Sequence, residues 1–224
     1  PLTPIQLSAE RLQMKLENKL EAPDSAVLNK CTQTIVNQVA AMKRMVDDFR
    51  DYAKTPAAVL SPLHINALIK EILNLYMSGD ENDIIHVNLA DDLPKIMGDA
   101  TQLRQVIHNL LQNAQDAVAD RPVGAPAPRI DIASEEIHFR SADGFIRTAV
   151  RISISDNGPG FAPKILARAF EPYVTSKPRG TGLGLAMVRK IIDEHGGRID
   201  IQNRSDENGA KIVILLLKLA PVEL

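Results

Sequence analysis

Asn109 and Asn113 stand four residues apart in the run Gln105-Val106-Ile107-His108-Asn109-Leu110-Leu111-Gln112-Asn113-Ala114, a spacing that places both amides on one face of a helix. A Mg²⁺ ion shared with nucleotide phosphates takes oxygen ligands and keeps several waters, so one neutral amide oxygen is enough from the protein. Taken alone, the pair reads as a solvated or capping face. The chemistry needs a second motif. Asp156-Asn157-Gly158-Pro159-Gly160-Phe161 supplies one, directly after the expected strand from Ile152 to Ser155. Its glycines admit positive φ and let backbone approach a ligand, and the Asp156 carboxylate can accept from an exocyclic amine. That suits an adenine pocket, although a lone copy is equally a turn that ends a strand. A third run, Arg179-Gly180-Thr181-Gly182-Leu183-Gly184-Leu185, opens an apolar helix. Small residues there leave backbone N–H groups free to face phosphate oxygens, and a helix N-terminus favours negative charge. Lys177 and Arg179 add cations at its rim.

These motifs need elements to hold them. Leu2, Ile5, Ala9, Leu12, Leu16 and Leu20 recur at steps of three and four, which predicts a first helix. Pro23, Asp24 and Ser25 interrupt it, and either polar residue could cap a second helix. In that second helix Leu28, Cys31, Ile35, Gln38, Met42, Met45, Phe49 and Tyr52 form a coiled-coil seam over more than three heptads. Gln38 either fixes the register of that seam or sits at its edge. One antiparallel two-helix hairpin has too little core to stand alone, so a second copy would complete a four-helix bundle. The pattern predicts a homodimer.

Thr55-Pro56 ends the helix, since proline cannot continue its hydrogen bonds. A domain boundary is expected near residue 60. Beyond it the pattern predicts helices near 67–77, 100–119 and 183–195, and strands near 84–89, 129–139, 146–155, 198–203 and 211–219. Ser141-Ala142-Asp143-Gly144 turns the second and third of these strands into a hairpin. Strand runs with interleaved helices imply an α+β sandwich, one sheet covered on one face.

The composition bounds the rest. A hydrophobic fraction of 45% with 24% charged residues is that of a soluble globular chain. A net charge of −2 gives no reason to expect nucleic acid, whose binding rests on clustered Lys and Arg. Cys31, the single cysteine, reads as a buried reduced thiol. No apolar run reaches the roughly 20 residues that cross a bilayer, and no signal peptide opens the chain. The start at Pro1 inside a helical pattern reads as an excised, cytoplasmic fragment, with any membrane segment lying upstream.

With all three motifs in this order, the chain resembles the sensor histidine kinases, within the larger group that shares a left-handed ATP-binding fold with gyrase, the Hsp90 chaperones and mismatch-repair ATPases. Asn109 to Ala114 resembles the asparagine box, Asp156 to Gly160 the first glycine box, Phe170-Glu171-Pro172-Tyr173 the phenylalanine box, and Gly180 to Leu185 the second glycine box. The resemblance implies a dimerisation and phosphotransfer hairpin over 1–55, a linker over 56–64, and a catalytic ATP-binding domain over 65–224. It implies ATP with Mg²⁺ as cofactors: Asn113, and Asn109 beside it, at the metal and phosphates, and Asp156 on the adenine amino group. Gly158 and Gly160 would shape the base pocket. Lys177, Gly180, Thr181, Gly182, Leu183 and Gly184, with Arg179 and Leu185, would hold the triphosphate, and Phe161 to Arg179 would form a mobile lid. Phe170 is either a lid anchor or a nucleotide contact, and Lys177 either a ligand or a solvated cation.

The opening run, Pro1-Leu2-Thr3-Pro4-Ile5-Gln6-Leu7-Ser8-Ala9-Glu10-Arg11-Leu12, resembles the segment just after the acceptor histidine, most closely in the nitrogen-regulation sensor kinases of the NtrY type. The acceptor and its acidic neighbour are then expected before Pro1. His64, His86, His108, His138 and His195 do not occupy its position and read as structural or surface residues, His195 favouring a helix C-terminus. In the intact protein, expected in a bacterial inner membrane, the γ-phosphoryl would pass to that histidine and then to an aspartate of a response regulator. Such transfer rests on positioning and charge neutralisation. A second reading is a non-catalytic module in which the hairpin docks a regulator and nucleotide tunes its shape. A third, a hydrolase like gyrase, lacks its base: the upstream position holds Gln105 or Asn109, and neither can take a proton.

Overall fold

The computed structural model describes residues 2–54, 56–76, 84–119, 121, 124, 126–140, 143–177, 180–205 and 208–221. The chain divides into two compact units, one of Pro1–Thr55 with Lys177–Thr181, the other of Pro56–Ser176 with Gly182–Leu224.

The first unit is a helical hairpin of α1 (Leu2–Leu16) and α2 (Ala22–Ala53). The turn falls earlier than the sequence suggests. Pro23 lies inside the first turn of α2 and Glu21 is its N-cap, so neither Asp24 nor Ser25 caps it. Proline is tolerated there because its missing N–H would have had no helical partner. Ala9 of α1 and Thr32 and Val39 of α2 are buried, and the Thr32 hydroxyl donates to the Leu28 carbonyl. The expected seam is not the face that α1 covers. Ile35, Met42, Met45 and Phe49 are all exposed, and Cys31 is exposed too, against the expectation of a buried thiol. The heptad period located an apolar stripe, but α1 covers the adjacent one.

The second unit is built on a five-stranded sheet of order β2-β4-β5-β7-β6, with β2 (Ile85–Leu89), β4 (Ile130–Arg140), β5 (Ile146–Asp156), β6 (Arg198–Asn203) and β7 (Ala210–Leu216). Only β2 and β4 run parallel; the other neighbours are antiparallel. Register explains the core. Ile132, Ile154, Ile212 and Ile201 pair in line across four strands, and Ser134, Ile152, Ile214 and Ile199 form the next row. Period-two alternation sends these residues to one face, where burial of each isoleucine contributes about 1.5–3 kcal/mol.

Three helices cover that face. α3 (Ile65–Tyr76) buries Ile65, Leu68, Ile69, Ile72 and Leu73, an i, i+3, i+4, i+7, i+8 stripe. α4 (Ala100–Ala119) packs on β4 and β5, with α3 on one side and α6 (Gly184–Glu194) on the other. Its buried stripe includes Leu103, Val106, Ile107, Leu110, Leu111 and Ala114. The sandwich expected from sequence is therefore present. Two small elements were not legible: a ribbon of β1 (Ser61–Leu63) against β3 (Ile96–Gly98), and the four-residue α5 (Pro163–Leu166). Three-residue strands are too short to show a period, and Pro62 argues against one. Ser141 and Ala142 of the expected turn lie outside the described residues; Asp143 there accepts from Arg147 and from the Phe145 amide.

Candidate functional site

The site in the second unit is organised around α4. Asp99 caps that helix, its Oδ1 accepting from the amides of Thr101 at 2.9 Å and Gln102 at 3.1 Å. Its Oδ2 accepts from the Val59 amide. Burial alone would raise the Asp99 carboxyl, but the amides of Gln102, Val59 and Thr101 and the nearby His195 together hold it below the ordinary aspartate range. Asn109 and Asn113 follow on the flank of the buried stripe, both half-buried.

Both glycine-rich motifs meet this helix. At the end of β5, Asp156 is 8% exposed, and its Oδ1 accepts from the Gly158 amide at 2.8 Å. Gly158 lies against the helix backbone: a Cβ there would stand 2.7 Å from the Ala117 carbonyl oxygen, so only glycine fits. One turn earlier on α4, Gly184 faces Asn113, with a Cβ position 3.9 Å from the Asn113 amide nitrogen. Gly184 is the first residue of α6, and Leu183 before it is buried as an anchor. Gly182 has φ +69 and accepts from the Tyr173 amide through its carbonyl, with the Tyr173 backbone where a Cβ would go. Asn109, Asn113, Asp156, Gly158, Gly160, Phe161, Gly182, Leu183, Gly184 and Leu185 thus belong to one unit. Lys177, Gly180 and Thr181 group with the first, where the Thr181 hydroxyl donates to Asp48 of α2. Arg179 lies outside the described residues.

Phe170 packs beneath the guanidinium of Arg189 on α6, 5.5 Å from its ring centre. Beside it Arg168 and Glu171 form an ion pair at 2.7 Å, and the hydrogen bond from Arg168 holds the Glu171 carboxyl below its ordinary value. Sequence reasoning missed Asn203, at the end of β6. It accepts from the Phe161 amide at 2.8 Å and donates to the Phe161 carbonyl at 2.7 Å, clamping the backbone after the first glycine-rich run. Asn157 makes a similar clamp, accepting from Arg129 and donating to Ala127. A polar residue ending a strand was the only signal for Asn203, since its partner is distant in sequence.

The donor set suits a metal shared with phosphates. Among the described residues no cluster of three or more acidic, histidine or cysteine side chains could enclose an ion by itself. The face between Asn113 and Gly184 offers neutral amide and open backbone instead, so an ion there would draw its countercharge from a ligand.

A β-sheet layered with helices, and glycine-rich turns at two levels of one helix, define the histidine kinase-, DNA gyrase B- and HSP90-like ATPases, whose family model matches residues 98–221. The chain belongs to that family. Within it, this is a sensor histidine kinase chain of the NtrY kind. It is 34% identical over 221 residues to the nitrogen regulation protein NtrY of Azorhizobium caulinodans, covering 99% of this chain and 27% of that protein. The chain thus spans about a quarter of that relative's length. Among solved structures, histidine kinase ThkA in complex with the response regulator TrrA superposes with a TM-score of 0.66 at 26% identity, covering 97% of this chain and 58% of that one. Full-length ShkA in complex with AMPPNP superposes with a TM-score of 0.64 at 25% identity, covering 99% and 46%. Among the described residues no helix is long and apolar enough to cross a membrane.

Proposed function

We propose that this chain is the kinase core of a two-component sensor, with residues 65–224 binding Mg-ATP and residues 1–55 forming the dimerisation and phosphotransfer hairpin; the stretch 56–64, expected as a linker, instead packs with the second unit, Ser61–Leu63 pairing there with β3. The observation that carries this reading is the double contact of α4, which meets Gly158 at Ala117 and faces Gly184 at Asn113. One helix thereby meets both of the turns that this reading assigns to base and to phosphate. In this reading Asp156 accepts from the adenine amino group, and Gly158 and Gly160, with Phe161 held by Asn203, wall the base. Asn113, assisted by Asn109, would hold Mg²⁺, which when bound neutralises phosphate charge. The amides from Gly180 to Leu185 receive the phosphates at the start of α6, and Lys177 and Arg179 add cations.

The intact protein then transfers the γ-phosphoryl to a histidine and on to an aspartate of a response regulator. The ThkA likeness supports such a partner, and the AMPPNP complex of ShkA supports the nucleotide. None of the five histidines stands at the acceptor position of the family pattern, so this chain binds ATP without labelling itself. Incubation with γ-labelled ATP tests this: no incorporation is expected, and stoichiometric label on any histidine contradicts it. The exposed apolar stripe of Ile35, Met42, Met45 and Phe49 supports pairing of two hairpins.

A further inference from the structure

His195 ends α6 and is 1% exposed, and both of its ring nitrogens are engaged. The backbone amide of Asp99 donates to Nε2 at 2.9 Å. Nε2 is therefore the unprotonated nitrogen, and Nδ1 carries the proton and donates to the Ile191 carbonyl at 2.8 Å. One imidazole thus joins the C-terminal end of α6 to the N-cap of α4. The two helices run back from this junction to the opposite end, where Gly184 faces Asn113. At about 1.5 Å per residue, the 11 residues of α6 put that end roughly 16 Å away. The neutral ring fits because it is donor on one side and acceptor on the other. No other side chain of similar size offers both on a planar ring.

We infer that His195 is a positioning residue for nucleotide binding: it sets the placement of the asparagine helix against the phosphate-loop helix, and so the alignment of Asn113 with Gly184 on the face that receives phosphate and metal. This rests on the nucleotide reading above. It also assigns a use to a histidine that the sequence offered as a structural or surface residue at a helix end. The base side depends less on the junction: Asp156 ends β5 and its carboxylate holds the Gly158 amide, and Gly158 touches α4 only at Ala117, far along the helix from Asp99.

The test compares ligands with and without phosphates. Affinities of the whole chain for ADP with Mg²⁺ and for adenosine are measured for wild type, His195→Ala, His195→Gln and His195→Asn, at a temperature where thermal melts show each folded. His195→Ala is expected to weaken Mg-ADP about tenfold, the worth of about one hydrogen bond, and to leave adenosine unchanged. His195→Gln returns an acceptor to the Asp99 amide and is expected to restore Mg-ADP binding; His195→Asn, too short to reach it, is not. The inference is overturned if the melting temperature falls while Mg-ADP affinity holds, if both ligands weaken in parallel, or if Gln and Asn behave alike. Should His195→Ala fail to fold, the contrast between Gln and Asn still decides it. A folded wild type that binds neither ligand overturns the nucleotide reading, and this inference with it, whereas a failure confined to the variants leaves that reading standing.

Discussion

Gly184, the first residue of α6, lies beside Asn113 of α4, and a Cβ on Gly184 would stand in van der Waals contact, 3.9 Å from the Asn113 amide nitrogen. If the face that carries these two residues takes the phosphates and their metal, Asn113→Ala removes an oxygen from the metal while leaving the fold and the base pocket intact. Its affinity for ADP should fall about tenfold with Mg²⁺ present and little in excess chelator. Equal losses in both conditions would remove Asn113 from the metal site.

Gly158 makes the other contact of α4. In Gly158→Ala the new methyl meets the Ala117 carbonyl oxygen, and either β5 or the helix must shift. Overpacking of this kind costs about 1–3 kcal/mol, and the shift also displaces Asp156. Urea denaturation should show that loss of stability together with weaker adenosine binding. Unchanged stability would mean the backbones are further apart than described.

Asp99→Ala should lower stability by about 1 kcal/mol, the usual worth of an N-cap, because two α4 amides lose their acceptor. The pH dependence has a definite sign. Asp99 is held below its ordinary value in the folded chain, so its charge stabilises the fold above the unfolded aspartate value of about 3.9 and ceases to as pH falls through the folded value. Thermal melts of wild type and Asp99→Asn should therefore differ at neutral pH and converge in acid. A gap that widens in acid would reverse the sign.

Asn203 holds Phe161 with two hydrogen bonds from one amide. Asn203→Ala should weaken adenosine and ADP by the same factor, since it loosens the base side and leaves the face at Asn113 untouched. Selective loss of ADP alone would place its effect elsewhere.

The legible parts of this molecule were those whose signal is local. Glycine-rich runs announce themselves because no other residue tolerates their backbone or close approach, and isoleucine alternation gave the long strands. The asparagine pair was visible from its four-residue step. What was hidden depends on partners far along the chain. The Asn203 clamp joins residues 42 apart, and His195 meets the Asp99 amide 96 residues away. Cys31 shows the opposite failure: helical period placed it on an apolar stripe, but the stripe that α1 covers carries Thr32 and Val39. Periodicity reveals a face and does not say which neighbour will cover it.

The central claim is that the second unit binds nucleotide with Asp156 reading the base. Calorimetric titration of the chain with ADP and Mg²⁺, run beside Asp156→Ala, tests it most directly. The account predicts one site per chain in wild type and no measurable binding in the variant, with both folded by circular dichroism. A folded wild type that releases no heat of binding and shows no ligand-induced stabilisation, or a variant that binds as wild type does, would contradict it.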